Sequence, residues 1–176
     1  MYCMKCISHS VIETADFAQK FLQTLVAREM GSSATVIGLY GNLGAGKTTF
    51  TQCLAKELGI TETITSPTFV IEKIYTIGHS SSTAFPQGYQ TTSPQSSPQF
   101  KLPFTQLIHI DAYRLERGDE LRVLGFERLL NDPKNLILIE WPERVADIMP
   151  KSHVQLRFEF VDEDTRTIEV IDSSVL

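Results

Sequence analysis

Between Glu13 and Met30, the apolar residues Phe17, Phe21, Leu22, Leu25 and Val26 recur at helical spacing, which gathers them on one face. Thr14 is the expected cap of that helix and Gly31 its expected stop. The period then changes. Ala34 to Tyr40, ATVIGLY, is a short β-branched apolar run and predicts a buried strand. Lys47 to Leu58 predicts a second helix, ended by Gly59, and Phe69 to Tyr75 a further strand. Leu107 to Ile110 is apolar and strand-like apart from His109, and Asp119 to Leu130 carries Leu121, Leu124, Leu129 and Leu130 as a helix. Leu136 to Ile139, LILI, predicts a strand covered on both sides and ended by Glu140. At the C-terminal end Val154, Leu156, Phe158 and Phe160 alternate with Gln155, Arg157 and Glu159. A DEDT turn and a second run around Ile168 and Val170 follow, giving a hairpin with one wet face.

Residues 78 to 103 fit none of these periods. They are dominated by Ser, Thr, Pro, Gln and Gly, and Lys101 is their only Lys, Arg, Asp or Glu. Such a stretch buries too little apolar surface to offset the entropy of ordering, so it is expected to be a flexible surface insertion. A lid is the sharper alternative, although the segment offers little to grip a phosphate. Strands and helices alternate and a hairpin closes the chain. The predicted fold is therefore α/β, a mostly parallel central sheet of the P-loop NTPase type flanked by helices, with an antiparallel C-terminal hairpin. Residues 1 to 176 form one domain in this reading.

Composition narrows the function classes. A hydrophobic content of 42% with 21% charge excludes a disordered chain, and a net charge of −5 disfavours autonomous tight binding to nucleic acid. No apolar run is long enough to span a bilayer, and MYCMKCISHS has no signal-peptide core, so a cytoplasmic protein without membrane contact is expected. Cys3 and Cys6 have the spacing of half a zinc site, with His9 nearby, but lack a completing pair; the plainer reading is a frayed, reduced N-terminus. Cys53 falls on a helix face that should pack inward.

The chemistry is concentrated in YGNLGAGKTTF. Gly41, Asn42, Leu43, Gly44, Ala45, Gly46, Lys47, Thr48 and Thr49 contain the full G-x-x-x-x-G-K-T pattern between a predicted strand and a predicted helix. Glycines let successive N–H groups turn inward onto phosphates, and the helix start adds its positive end. Lys47 is expected to reach the β- and γ-phosphates, and the Thr48 hydroxyl to bind Mg²⁺. Two further acids, Asp111 and Glu140, end predicted strands; one such acid alone reads as a solvated edge or a helix cap, but two in a chain with a phosphate loop point to handling of a metal ion and an attacking water. His109 reads as a packed or hydrogen-bonded strand residue. Trp141, the only tryptophan, follows Glu140 at once, and packing or a lid and partner contact both fit it. Arg114, Arg117 and Arg144 are either phosphate neutralisers or surface residues.

Together, the phosphate loop, Ser66-Pro67-Thr68-Phe69, His109-Ile110-Asp111-Ala112-Tyr113-Arg114-Leu115 and Ile139-Glu140-Trp141-Pro142-Glu143 resemble the TsaE (YjeE) family in content and order. The resemblance spans nearly all of the chain outside residues 78 to 103, where the family usually has a short connection. It implies an ATPase component of the bacterial machinery that makes threonylcarbamoyladenosine in tRNA, next to the anticodon. ATP and Mg²⁺ are the implied cofactors and TsaD and TsaB the implied partners, with tRNA engaged indirectly and hydrolysis resetting the complex. By that resemblance Thr48 and Glu140 hold Mg²⁺, and Asp111 holds it with them or orients the water, so that Lys47, Asp111 and Glu140 form the catalytic set. Ser66 and Thr68 belong to a switch-like loop, and Trp141 sits beside the nucleotide.

A small-molecule kinase of the P-loop class is the alternative reading. Such enzymes carry an arginine-rich lid, and residues 78 to 103 contain no arginine. A non-hydrolysing ATP-binding module is a third reading, which the two strand-end acids disfavour. A GTPase lacks support, since neither an Asn-Lys-x-Asp signal nor a D-x-x-G switch is present.

Overall fold

The computed structural model describes residues 4–78 and 102–171. Cys3 and most of the 78 to 103 segment lie outside the described residues, and so do the readings attached to them. The first element is a strand, β1 (Lys5–Ser8), where a frayed terminus was expected. Its Cys6 pairs in register with Ile168, so the segment is held by a partner far along the chain that local pattern does not reveal.

The helix α1 (Val11–Val26) starts earlier than predicted, capped by Ser10 and not by Thr14. Ser10 Oγ accepts the Glu13 N–H at 3.2 Å, and the Glu13 carboxylate accepts the His9 N–H at 2.8 Å. Thr14 is instead buried, 2.8 Å from Ser8 Oγ. The helix also ends before Gly31, with Ala27 at its C-cap. Arg28, Glu29 and exposed Met30 give a further turn no apolar face to bury.

β2 (Thr35–Tyr40) leads through the glycine loop into α2 (Lys47–Glu57). Gly59 closes α2 at a positive φ of 76°, with Gly59 N–H bonded to the Lys56 carbonyl and Ile60 N–H to that of Ala55. β3 (Glu72–Thr76) is shorter than predicted, because Pro67 to Val70 form a turn. In that turn Phe69 is 83% exposed, a large apolar side chain outside any strand. After β4 (Gln106–Asp111), the predicted single helix is two: α3 (Gly118–Val123) and α4 (Phe126–Leu130). Gly125 breaks them at φ 88°. The break lets both Leu121 and Phe126 pack inward, which one unbroken helix would prevent at their five-residue spacing. β5 (Asn135–Glu140), a 3₁₀ turn at Pro142–Val145, and the hairpin β6 (Val154–Phe160) and β7 (Arg166–Ile171) complete the chain.

The described strands form one sheet in the order β1-β7-β6-β2-β5-β4-β3. Its centre, β6-β2-β5-β4, is parallel, and β3, β7 and β1 add to it antiparallel. The predicted hairpin is thus correct, but its first strand is also part of the parallel core. Each central strand feeds two cores. Ile37, Leu39, Leu136 and Leu138 face α1 and α2, whereas Val36, Ile137 and Ile139 face α3, α4 and the 3₁₀ turn. On the first side Phe50 meets Phe17, Phe21 and Phe158 at centroid distances of 6.1, 5.8 and 5.5 Å. These rings tie α1 and α2 to the sheet, at about 0.5–1.5 kcal/mol per aromatic pair beyond simple burial. Among the described residues no helix is long and apolar enough to cross a membrane.

Candidate functional site

Four loops meet at the C-terminal ends of β2, β5 and β4. The first is the glycine loop, whose Gly41, Gly44 and Gly46 all take positive φ. At Gly41 the chain passes directly under β6, and a Cβ there would drive into the Phe158 carbonyl oxygen. Gly46 hands the chain to α2, so the loop's N–H groups and the helix start converge.

Lys47 is buried, yet its partners are carbonyls. Its Nζ donates to Gly41 O at 2.6 Å and Asn42 O at 3.0 Å, and lies 4.0 Å from the centre of the Trp141 ring. Burial pushes its pKa down, and the carboxylates of Glu140, Glu143 and Asp111 act against that shift. Trp141 reaches this position through a left-handed backbone (φ 59°) immediately after β5, with Pro142 starting the 3₁₀ turn. A non-glycine residue held there stores strain, which is common where a side chain must be aimed.

Parallel pairing sets Asp111 opposite Glu140, and Leu39 opposite Glu140 on the other side. Register and alternation therefore direct Asp111, His109 and Glu140 to the face covered by α2. Thr48, in the first turn of α2, donates to Glu140, its Oγ1 lying 2.9 and 3.1 Å from the two carboxylate oxygens. His109 Nε2 is 2.9 Å from the same Oε1. Asp111 is held separately. Its Oδ2 accepts from Ser66 Oγ at 2.8 Å and from Thr68 Oγ1, and its Oδ1 from the Tyr113 N–H at 3.0 Å. The Ser66–Thr68 loop is thereby latched onto β4. Its exit, Ile71, has φ 69°, a costly conformation for a β-branched residue.

These groups line a cleft of about 450 Å³ that includes Lys47, Thr48, Ser66, Thr68, Asp111, Glu140 and Trp141. All the residues predicted from sequence as acting at the site are thus brought together there or in the adjoining glycine loop. The three arginines are not. Arg114 lies over Phe69, Arg144 faces Tyr113, and Arg117 precedes α3. Sequence reasoning missed a second hollow of about 240 Å³ on the other flank of the loop, lined by Ser8, His9, Ser10 and Arg166 together with Gly44, Gly46 and Thr49. Arg166 Nε donates to Gly44 O at 3.1 Å. The Ser10-x-x-Glu13 capping signature would have placed α1's start at this hollow, but nothing local marks Arg166.

Only oxygen donors are offered by Thr48, Glu140 and Asp111, the donor type that hard divalent cations take. Among the described residues no three His, Cys, Asp or Glu side chains gather as a cation cage.

A glycine loop between β2 and α2, with acids ending β4 and β5 beside it, defines an α/β protein of the P-loop type. The chain matches the model of the threonylcarbamoyl adenosine biosynthesis protein TsaE over residues 8–168, and it belongs to the TsaE family. It is 30% identical to the tRNA threonylcarbamoyladenosine biosynthesis protein TsaE of Rickettsia typhi over 90% of this chain and 88% of the relative. The Treponema pallidum protein of the same name is 31% identical, covering 95% of this chain and 99% of its own length. A crystal structure of Bacillus subtilis YdiB shares the fold, with a TM-score of 0.64 at 24% identity over 97% of this chain and 86% of that one.

Proposed function

We propose that the protein is a Mg²⁺-dependent ATPase that works in the cytoplasm with TsaB and TsaD to form threonylcarbamoyladenosine next to the anticodon of tRNA. Hydrolysis resets the assembly between turnovers, and tRNA is engaged through the complex. The observation that carries this reading is the Thr48–Glu140 contact in the first turn after a complete phosphate loop, with Asp111 in register beside it.

In this reading the residues of Gly41 to Thr49 cradle the phosphates through loop N–H groups and the start of α2. Lys47 exchanges its two carbonyl partners for phosphate oxygens, which takes the ammonium away from the Trp141 ring. Thr48 and Glu140 hold Mg²⁺, which when bound neutralises charge on the β- and γ-phosphates. Asp111 orients the attacking water or shares in holding the ion, and either role requires it to loosen its hold on Ser66 and Thr68. Movement of that loop is therefore coupled to the phosphate end of the site. The hollow lined by His9, Ser10 and Arg166 takes the nucleoside end, since it adjoins the phosphate cleft through Gly44, Gly46 and Thr49.

The test is reconstitution. Phosphate release is measured for the chain alone and with TsaB and TsaD, and threonylcarbamoyladenosine is measured over many turnovers with wild type and Lys47→Ala. Partner-stimulated release that Lys47→Ala abolishes is the expected result. No release under either condition would remove the ATPase reading.

A further inference from the structure

His109 is fully buried in β4 between Ile108 and Ile110, a place that packing alone would give to an apolar residue. Its ring makes one hydrogen bond: Nε2 lies 2.9 Å from Glu140 Oε1, and Nδ1 has no partner. A carboxylate oxygen accepts, so Nε2 carries the hydrogen. The same Oε1 takes the Thr48 hydroxyl at 2.9 Å. Donors from β4 and α2 thus converge on one oxygen of a side chain with three rotatable torsions. A buried imidazole with a single partner is costly to keep unless that contact is needed.

We propose that His109 is a positioning residue for the divalent-ion site, its Nε2–H holding Glu140 in the rotamer that faces Thr48 and so setting the affinity for Mg²⁺ brought in with the nucleotide. The proposal rests on Thr48 and Glu140 holding that ion. His109 itself touches neither ion nor nucleotide. Removing a hydrogen-bond partner of a metal-holding group typically weakens metal binding 10- to 100-fold.

The experiment measures affinity of the full chain for a non-hydrolysable ATP analogue by calorimetry, first in EDTA and then with Mg²⁺ titrated. Wild type is compared with His109→Leu, His109→Gln and His109→Asn, and each variant's thermal midpoint is recorded. His109→Leu is expected to raise the half-saturating Mg²⁺ concentration roughly tenfold while leaving affinity in EDTA within about twofold. His109→Gln, whose amide nitrogen reaches towards the Nε2 position, is expected to recover most of the Mg²⁺ response, and the shorter His109→Asn to lose it. Where His109→Leu fails to fold, the Gln and Asn pair decides, and equal Mg²⁺ responses from those two overturn the proposal. So does a His109→Leu variant that weakens both affinities alike, the mark of a general packing role. A wild-type protein indifferent to Mg²⁺ would instead defeat the reading of Thr48 and Glu140, and His109 with it.

Discussion

Lys47 is the single residue on which the proposed nucleotide reading bears most directly. An ammonium has been taken out of water and given two carbonyls and an indole face in place of an anion. Burial lowers its pKa, so between its folded value and the unfolded 10.5 the unfolded chain binds more protons. Stability contributed by this group therefore rises with pH through that window, and at pH 7 the buried charge is a net cost. Lys47→Met is accordingly expected to abolish nucleotide binding while leaving the thermal midpoint of ligand-free protein at pH 7 unchanged or higher; a lower midpoint would mean the carbonyl bonds outweigh desolvation. Glu140 makes the converse case. Several kcal/mol of charge stabilisation pass through a bound divalent ion, and each ~1.4 kcal/mol is tenfold in rate. Glu140→Gln, which keeps an acceptor for Thr48 and His109 but not the charge, should lower Mg²⁺-dependent phosphate release by roughly a hundredfold, while a urea melt moves less in free-energy terms.

Among the elements, the glycine loop and the start of α1 are fixed by different physics. At Gly41 the constraint is steric: φ is 145° and β6 passes directly above. Gly41→Ala should cost about 2 kcal/mol or more of stability, read as a shift in the denaturation midpoint. At the start of α1 the constraint is a lost cap, and Ser10→Ala should cost about 1 kcal/mol in the same assay. These cases also explain what was legible in the chain. Strands β2, β4 and β5 and helix α2 could be read because period, glycine placement and burial on both faces agree. The phosphate loop, Asp111 and Glu140 could be read because they sit at the ends of those elements. The start of α1 was misplaced because Thr14, a good capping residue by type, is used for burial, while Ser10 and Glu13 form the cap. The split between α3 and α4 was missed because leucine spacing tolerates one helix until Gly125's left-handed backbone is considered. β1 was invisible for another reason: four residues become a strand only through pairing with β7.

That pairing matters at the scale of the whole molecule, because it sets the end of β1 and the start of β7 beside each other at the phosphate loop. β7 carries Arg166 at its first position, and the guanidinium does three things. Its Nε bonds Gly44 O at 3.1 Å, its Nη1 gathers the carbonyls of Asp162, Glu163 and Thr165, and its Cζ lies 4.5 Å from the Phe160 ring centre. The hairpin turn and the glycine loop therefore share one fastening, and the hollow beside it is also lined by His9, whose Nδ1 is 3.1 Å from Thr165 Oγ1. A hairpin serving only as sheet edge has no need of this connection. Arg166→Ala should weaken nucleotide affinity roughly three- to tenfold, a figure reduced for the solvent exposure of the bond. The loss should be equal in EDTA and in Mg²⁺, since Arg166 touches Gly44 and, in the proposed reading, the nucleoside side, away from Thr48 and Glu140. Arg166→Lys should not restore it, because a point charge cannot hold Gly44 and the turn carbonyls at once. Unchanged affinity in Arg166→Ala would reduce the hairpin to structural support. A defect seen only with Mg²⁺ would mean that the two flanks of the loop are coupled through the ion rather than through its backbone.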